Sequence, residues 1–241
     1  LGALLGTTLG HQVDANNVGF GSQPDGQERI QLSFFVATFS VMGHIAKADG
    51  QVSQKEIQMA TNLMDQLRLN TQQRKAAIDL FDEGKHANFP LKEVLLQFRN
   101  ECQRRTTVMR MFIEIQVQAA MADGRLDPQE NSILLEAADV LGFDRSEVEY
   151  LINLISSTSG HSVGDTARSI DQSYKILGVS KDDSDDTIKK SYRRLMSQHH
   201  PDKLISKGVP EEMIELATEK TREIRSAWEQ VREHRKNLVQ H

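Results

Sequence analysis

A phrase that occurs twice in the chain constrains its fold more than any other feature. Residues 46–56 read AKADGQVSQKE and residues 120–130 read AMADGRLDPQE. Ser53 and Asp127 each stand three positions before a glutamate, which is the spacing of a helix capping box, and the glycine upstream suits the left-handed end of a preceding helix. Each phrase therefore predicts a tight turn between two helices. The residues that define these turns are Asp49, Gly50 and Glu56 in the first copy and Asp123, Gly124 and Glu130 in the second.

The segment from residue 28 to residue 156 has a helical pattern throughout. Apolar residues recur every three or four positions, and no convincing run of alternating apolar and polar residues indicates a strand. We therefore predict an all-α chain in which this segment forms an antiparallel bundle of about seven helices. The first two apolar stripes consist of Ile30, Phe34, Val41, Ile45 and Ala48, and of Ile57, Met64 and Leu67.

Calcium binding is the alternative interpretation of the repeated turns. Their Asp, Gly, aliphatic and Glu residues also match the later half of an EF-hand loop. The first and third ligand positions of such a loop would fall on residues without a side-chain oxygen, which are Ile45 and Lys47 in one copy and Ala119 and Met121 in the other. The repeat is instead similar to the tellurite-resistance TerB-like domain, a helical bundle with paired Asp-Gly turns, over about half of the chain.

A second domain is predicted after a short linker. Residues 157–168, STSGHSVGDTAR, are rich in Ser, Thr and Gly and lack apolar periodicity, so they separate the bundle from residues 169–241. Three helices are predicted in this domain. The first lies in DQSYKILGV, the second runs from about residue 187 to residue 198, and the third from about residue 210 to residue 237.

The second helix of this domain is apolar on one face and basic on the rest of its surface. Ile188, Tyr192, Leu195 and His199 follow one another at steps of four, three and four residues, which places them on or beside one face. No acidic residue lies between Thr187 and the end of the helix. The basic residues are Lys189, Lys190, Arg193 and Arg194.

The basic helix ends at the tripeptide His200-Pro201-Asp202. Proline must break the helix, and the residue before a proline is restricted to an extended conformation. We therefore expect His200 and Asp202 to be exposed on a loop. His-Pro-Asp occurs by chance in about one chain of this length in a hundred, and its position between a basic helix and a longer helix is rarer still.

This arrangement resembles the J domain of DnaJ-family co-chaperones. The matching motifs are YKILGV in the first helix, IKKSYRRLMSQHHPDK in the second helix and its loop, and KTREIRSAWEQV in the third. The resemblance implies an antiparallel helical hairpin that docks on a DnaK-type chaperone and stimulates its ATP hydrolysis. Two departures are Thr221, where the family more commonly has an aromatic residue, and Trp228, where it has tyrosine. The residues implied to contact DnaK are Lys189, Lys190, Tyr192, Arg193, Arg194, His200, Pro201, Asp202 and Lys203.

No catalytic, metal or cofactor site is predicted for this chain, so the implied hydrolytic centre belongs to the partner. The adjacent His199 and His200 point in different directions at a helix end, and no cysteine or third histidine lies at a zinc-ligand spacing. We expect His199 to pack against the core of its domain. The single Cys102 has no recognisable signature of a nucleophile. The alternative hypothesis is a metal-responsive membrane scaffold with a non-stimulating J domain.

The first residues of the chain read LGALLGTTLGHQ, which has two interpretations. Residues 1–12 are either the last part of a transmembrane helix or a flexible Gly-rich tail, and residues 13–27 read as a linker. In a membrane helix, Gly2, Gly6 and Gly10 would form a stripe of small residues through which two helices pair closely.

The whole order of segments resembles the membrane-anchored DnaJ-like proteins of Gram-negative bacteria. This resemblance implies a single-pass protein of the inner membrane with both domains in the cytoplasm, and a homodimer formed through the membrane helix. The TerB-like domain would then be a docking module for client or signalling proteins, as in envelope-stress signalling, or a spacer. The net charge of −5 argues against nucleic acid as a partner.

Overall fold

The computed structural model describes residues 26–103, 105–158, 170–205 and 211–239. Within these ranges the chain forms eleven α-helices and no strand, which confirms the all-α prediction. The predicted membrane segment over residues 1–12 lies outside the described residues.

Seven helices form the first, larger bundle, and the first of them lies at its centre. Helix α1 packs against α3, α4, α5 and α6. The helices are α1 (Gly26–Ala46), α2 (Gln54–Gln66), α3 (Thr71–Gly84), α4 (Leu91–Cys102), α5 (Thr106–Ala120), α6 (Pro128–Leu141) and α7 (Arg145–Thr158).

The burial of α1 and α2 differs from the predicted apolar stripes. Helix α1 is buried on every side from Leu32 to Gly43, including Ser33, Thr38 and Ser40, because neighbouring helices surround it. Such a helix has no single apolar face for a stripe to mark. In α2 the predicted stripe is wrong at Ile57, which is 43% exposed.

Glycine allows α1 and α3 to cross with their backbones in contact. A Cβ atom on Gly84 would lie 1.8 Å from the Ser40 carbonyl oxygen, and one on Gly43 would lie 2.0 Å from the Phe81 carbonyl oxygen. His44 also contacts the crossing, since its Nδ1 lies 3.1 Å from the Gly84 carbonyl oxygen. Only residues without a side chain fit at the closest points of this crossing.

Four helices form the second domain, and two of them build an antiparallel hairpin. They are α8 (Ile170–Ile176), α9 (Asp185–His199), α10 (Pro201–Ile205) and α11 (Glu211–Val239). Arg235, near the end of α11, is 3.2 Å from Asp185 at the start of α9. Thr221, nearer the start of α11, donates a hydrogen bond to the His199 carbonyl at the end of α9. These contacts fix the two helices in opposite directions, as the resemblance implied.

The hairpin has an apolar cluster of its own, to which α8 also contributes. Ser173 of α8 donates a 2.5 Å hydrogen bond to Gln230 of α11, so the short helix is tied to the long one by a polar contact as well. The buried members of this cluster are Tyr174, Ile176, Leu177, Ile188, Ile224, Ala227 and Val231.

Candidate functional site

Helix α9 carries the predicted basic surface and begins at Asp185. Ser184 is the N-cap, with its hydroxyl accepting a 3.2 Å hydrogen bond from the Thr187 N–H. The buried Ser191 donates a 2.6 Å bond to the Leu177 carbonyl, which ties α9 to the end of α8. This anchoring turns the polar remainder of the helix toward solvent. The exposed basic residues are Lys189, Lys190, Arg193 and Arg194.

Tyr192 differs from the other residues of the predicted contact set because it is half-buried. Its ring stacks on that of Trp228, with centroids 4.8 Å apart and planes 12° apart. Both rings pack against the apolar cluster of the hairpin. Trp228 therefore fills its unusual position by stacking on α9, and Tyr192 is a packing residue as well as a candidate contact.

His200 joins α9 to α10, and its backbone is extended as predicted, with φ −65° and ψ 122°. The chain does not continue as a loop, however, because Pro201 begins a short helix. Proline suits the first position of a helix, where its missing N–H is not needed. The His200 ring caps this helix, since its Nδ1 accepts a 3.2 Å hydrogen bond from the Asp202 N–H. The expected loop is thus wrong from Pro201 to Ile205.

The side chains of the tripeptide are nonetheless accessible. The side chain of His200 is 44% exposed and that of Asp202 is 86% exposed, with the ring Nδ1 3.9 Å from the carboxylate. Because Nδ1 accepts from the backbone, the proton of a neutral ring lies on Nε2, which is left to donate to another molecule. Lys203 donates a 2.5 Å hydrogen bond to Ser197 on α9. His200 and the short helix therefore present a donor, an acceptor and a cation beside the basic surface.

Thr221 supports this segment from behind through its hydroxyl group, a role that no sequence pattern indicated. The hydroxyl of this buried residue lies 2.9 Å from the His199 carbonyl oxygen and 2.8 Å from the Ala217 carbonyl oxygen, and these two acceptors share its one proton. An aromatic residue at this position could not make that bond. Thr221 thus fixes α11 to the last residue before the exposed tripeptide.

The two repeated turns of the bundle have nearly the same geometry, which confirms the predicted helix ends. Gly50 and Gly124 have φ of 93° and 86°, the left-handed conformation expected at a helix end. The Asp49 and Asp123 carboxylates each accept a 2.8 Å hydrogen bond from the backbone N–H two residues later. Capping boxes follow in both copies, with Glu56 accepting from Ser53 and Glu130 from Asp127.

The repeat also brings its two capping glutamates together in the core of the bundle. The Glu56 and Glu130 residues are 7% and 6% exposed. Burial raises the pKa of Glu130 to about 7. The hydrogen bond from the Asp127 N–H opposes this rise, whereas the negative charges of Glu56 and Asp49 add to it. The spacing within each copy predicted a cap, but not the contact between copies, because that contact depends on how the helices pack.

Replacing Glu130 with glutamine should stabilise the bundle above neutral pH. Between pH 4.5, the ordinary pKa, and about pH 7, the raised pKa, Glu130 keeps its proton in the folded protein but loses it in the unfolded chain. The free energy of unfolding of the wild-type protein therefore falls as pH rises through this range. Glutamine still forms a capping box and carries no charge. We expect similar melting temperatures at pH 4.5 and a gain for the variant of about 2 kcal/mol at pH 8.

The control for this experiment is Glu93→Gln, measured by the same thermal unfolding between pH 4.5 and pH 8. Glu93 is also three positions into a helix, α4, but it is exposed and its helix has no side-chain cap. The stability of the control relative to the wild-type protein should not increase with pH. Equal gains in both variants, or a pH-independent difference for Glu130→Gln, would contradict the assignment of the buried proton.

The described part of the chain has no group of three or more His, Cys, Asp or Glu side chains placed to hold a metal ion. The carboxylates of the repeated turns instead accept backbone hydrogen bonds.

No helix in the described ranges is both long and apolar enough to cross a membrane. The predicted pairing residues Gly2, Gly6 and Gly10 lie outside those ranges.

Two families of known proteins match separate parts of the chain. The family of tellurite resistance protein TerB matches residues 35–152, and the DnaJ domain family matches residues 172–238. The co-chaperone protein DjlA of Photorhabdus laumondii is 40% identical over 252 residues, covering 97% of this chain and 91% of the relative. No solved structure matches the chain.

Other similar relatives carry the same name. The co-chaperone protein DjlA of Yersinia pestis is 39% identical, with 96% of this chain and 91% of the relative covered. The co-chaperone protein DjlA of Escherichia coli K12 is 38% identical, with 97% of this chain and 91% of the relative covered. A TerB domain followed by a DnaJ domain, matched along nearly the whole length of these relatives, places this chain in the DjlA family of co-chaperones.

Proposed function

We propose that the J domain docks on a DnaK-type chaperone through α9 and α10 and stimulates its ATP hydrolysis. The observation that carries this proposal is the exposure of His200 and Asp202 at the end of a basic helix surface. The hydrolytic centre belongs to DnaK, and this chain acts by binding and by changing the balance between two conformations of its partner.

The basic surface of α9 supplies the first step, which is encounter and orientation. Within the described residues, Lys189, Lys190 and Arg193 form no ion pair with an acidic side chain of the same chain. Their charges are therefore available to a negatively charged surface on the partner. Complementary charge of this kind raises the rate of association and fixes the orientation of docking.

The tripeptide supplies the second step, which is the change in the partner. The His200 Nε2–H and the Asp202 carboxylate can hydrogen-bond across the interface, while Pro201 fixes the start of α10. A ligand shifts a conformational equilibrium only by its difference in affinity for the two states. We propose that these directional contacts are made more strongly in the hydrolysing state of DnaK.

The remaining domain and the N-terminal segment complete the proposal. The TerB-like bundle would dock client or signalling proteins, as in envelope-stress signalling, and bring them to DnaK. Residues 1–12 would anchor the protein in the bacterial inner membrane and pair two copies. The linkers would be residues 13–25 and 159–168, shorter than predicted, because α1 already begins at Gly26 and α7 continues to Thr158. Both folded domains would then lie on the cytoplasmic side, where DnaK acts.

Steady-state ATP hydrolysis by DnaK, titrated with this protein, tests the proposed function. We expect the rate to rise with concentration and to saturate. A flat titration, with a functional J protein as positive control in the same assay, would overturn the proposal.

Reversing one charge on α9 should weaken docking more than it weakens stimulation. Lys190 is exposed, so Lys190→Glu leaves the hairpin folded but repels an acidic partner. We expect the concentration for half-maximal stimulation to rise about tenfold at low salt and by less at high salt, with the maximal rate retained. Lys92→Glu, the same change at an exposed site of α4, is the control and should leave both values unchanged.

A further inference from the structure

The apolar core of the TerB-like bundle extends into the J domain. Leu204 of α10 and Ala217 of α11 are each 1% exposed, and both belong to the buried cluster of the bundle. They are not part of the separate cluster that holds α8, α9 and α11 together. These two residues therefore pack against the other domain as well as against each other's helix.

A defined surface of the bundle lies beside Ala217 and His199. Leu63 of α2 and Met111, Glu114 and Ile115 of α5 line a cavity of about 310 Å³ together with His199 and Ala217 of the J domain. We call these four residues the bundle contact face. Leu63, Met111 and Ile115 are buried, so the face is mainly apolar, with one carboxylate.

Polar contacts at the boundary fit this packing. His199 is 3% exposed, and its Nε2 lies 3.7 Å from the Glu114 carboxylate. Burial lowers the pKa of His199. The negative charges of Glu114 and Glu223 oppose this shift, and the positive charges of Lys220 and Arg110 add to it. The lowered pKa favours the neutral ring, which packs beside the Glu114 carboxylate at a distance longer than a hydrogen bond. A second contact joins Arg68 to Glu215 at 3.1 Å.

The contacts with the bundle lie on both sides of the exposed tripeptide. His199 immediately precedes His200, and Leu204 is two positions after Asp202. The side chains of His200 and Asp202 remain accessible while their neighbours are buried. The bundle therefore holds the segment from behind and does not cover it.

We propose that the TerB-like bundle positions the His-Pro-Asp segment for DnaK, with Glu114 and Leu204 as positioning residues. This inference rests on the proposed function, since positioning matters only if the segment acts on DnaK. One contact on each side of a short segment restricts the orientation of that segment. The strength of a directional hydrogen bond depends steeply on orientation. The bundle is then part of the stimulating unit and not only a module for other partners.

Releasing the J domain from the bundle tests the inference. In Ala217→Arg, a long charged side chain replaces a methyl group that faces the bundle, outside the cluster that holds the hairpin together. We expect maximal stimulation to fall at least about threefold while the half-saturating concentration stays within about twofold, because the basic surface of α9 is untouched. Ala87→Arg, the same change at an exposed site, is the control.

A distance measurement shows whether the release has occurred. Cysteines replacing the exposed Gln72 on α3 and Glu229 on α11 can carry spin labels, because the native Cys102 is fully buried and burial raises its pKa to about 12. We expect one narrow distance distribution in the otherwise wild-type protein and a broad one after Ala217→Arg. A broad distribution before that substitution would overturn the inference, whether or not DnaK is stimulated.

Trapping the docked arrangement gives the opposite test and does not depend on the release variant being folded. Arg68→Cys with Glu215→Cys, joined by a short bismaleimide, links side chains that contact each other. The cross-linked protein should stimulate DnaK as fully as the unlinked pair. Loss of stimulation on cross-linking, or full stimulation by a released Ala217→Arg protein, would overturn positioning by the bundle. If no form stimulates DnaK, the proposed function fails as well, whereas the spin-label distances still report on docking.

Discussion

His200→Gln should reduce the stimulation of DnaK ATP hydrolysis to near the unstimulated rate, with little change in the stability of the protein. The imidazole has two tasks that glutamine cannot combine in the same geometry. Its Nδ1 accepts the Asp202 N–H and caps α10, while Nε2 is left to donate to the partner. We expect a loss of at least about tenfold, because the substitution removes a directional contact that we propose is stronger in the hydrolysing state of DnaK.

The measurement is the steady-state ATPase titration, with His86→Gln as the matched control. The side chain of His86 is 72% exposed and lies in the bundle, far along the chain from the tripeptide. The control should stimulate DnaK normally. Melting temperature and helical content should be the same in both variants. Normal stimulation by a folded His200→Gln protein would show that the tripeptide is not the acting element.

Gly84→Ala should produce the largest loss of stability of any methyl-sized addition to the bundle. The added Cβ would lie 1.8 Å from the Ser40 carbonyl oxygen, which belongs to the backbone of the central helix and cannot rotate away. Helices α1 and α3 must then separate, which disturbs buried contacts along both. Overpacking usually costs about 1–3 kcal/mol, and we expect the upper end or beyond because both colliding atoms are fixed.

Thermal and urea unfolding measure this effect. A loss of about 3 kcal/mol corresponds to a fall in melting temperature of roughly 6–12 °C for a domain of this size. Gly26→Ala is the control, because nothing lies within 4 Å of the position that its Cβ would occupy. It should be neutral or slightly stabilising, since alanine favours a helix over glycine. Equal stability of the two variants would contradict the close crossing.

The repeated turns show how far local sequence determines local structure. Capping boxes at Ser53 and Asp127, and left-handed glycines before them, could be predicted because each depends on residues a few positions apart. The extended backbone of His200 followed from Pro201 for the same reason. The short helix after it was missed, since proline both ends one helix and suits the start of another.

Burial was less predictable. Ile57 is exposed although it continues an apolar stripe, and Thr38 is fully buried although it is polar, because both depend on which helices lie alongside. The same holds for the contacts of Glu56 with Glu130 and of His199 with Glu114. Each of these contacts joins residues about 70 positions or more apart in the sequence, which no periodicity within a single helix encodes.

The all-α class, the turns of the repeat and the motifs of the DnaJ domain could be predicted from the amino-acid sequence alone, because these depend on side chains and backbone preferences a few residues apart. Three features depend on how the helices pack: the central position of α1, the contact between the two capping glutamates, and the burial of Leu204 in the core of the other domain. Those features arise when distant helices bury a shared surface. Their energies depend on the desolvation and packing of groups that are far apart in the chain.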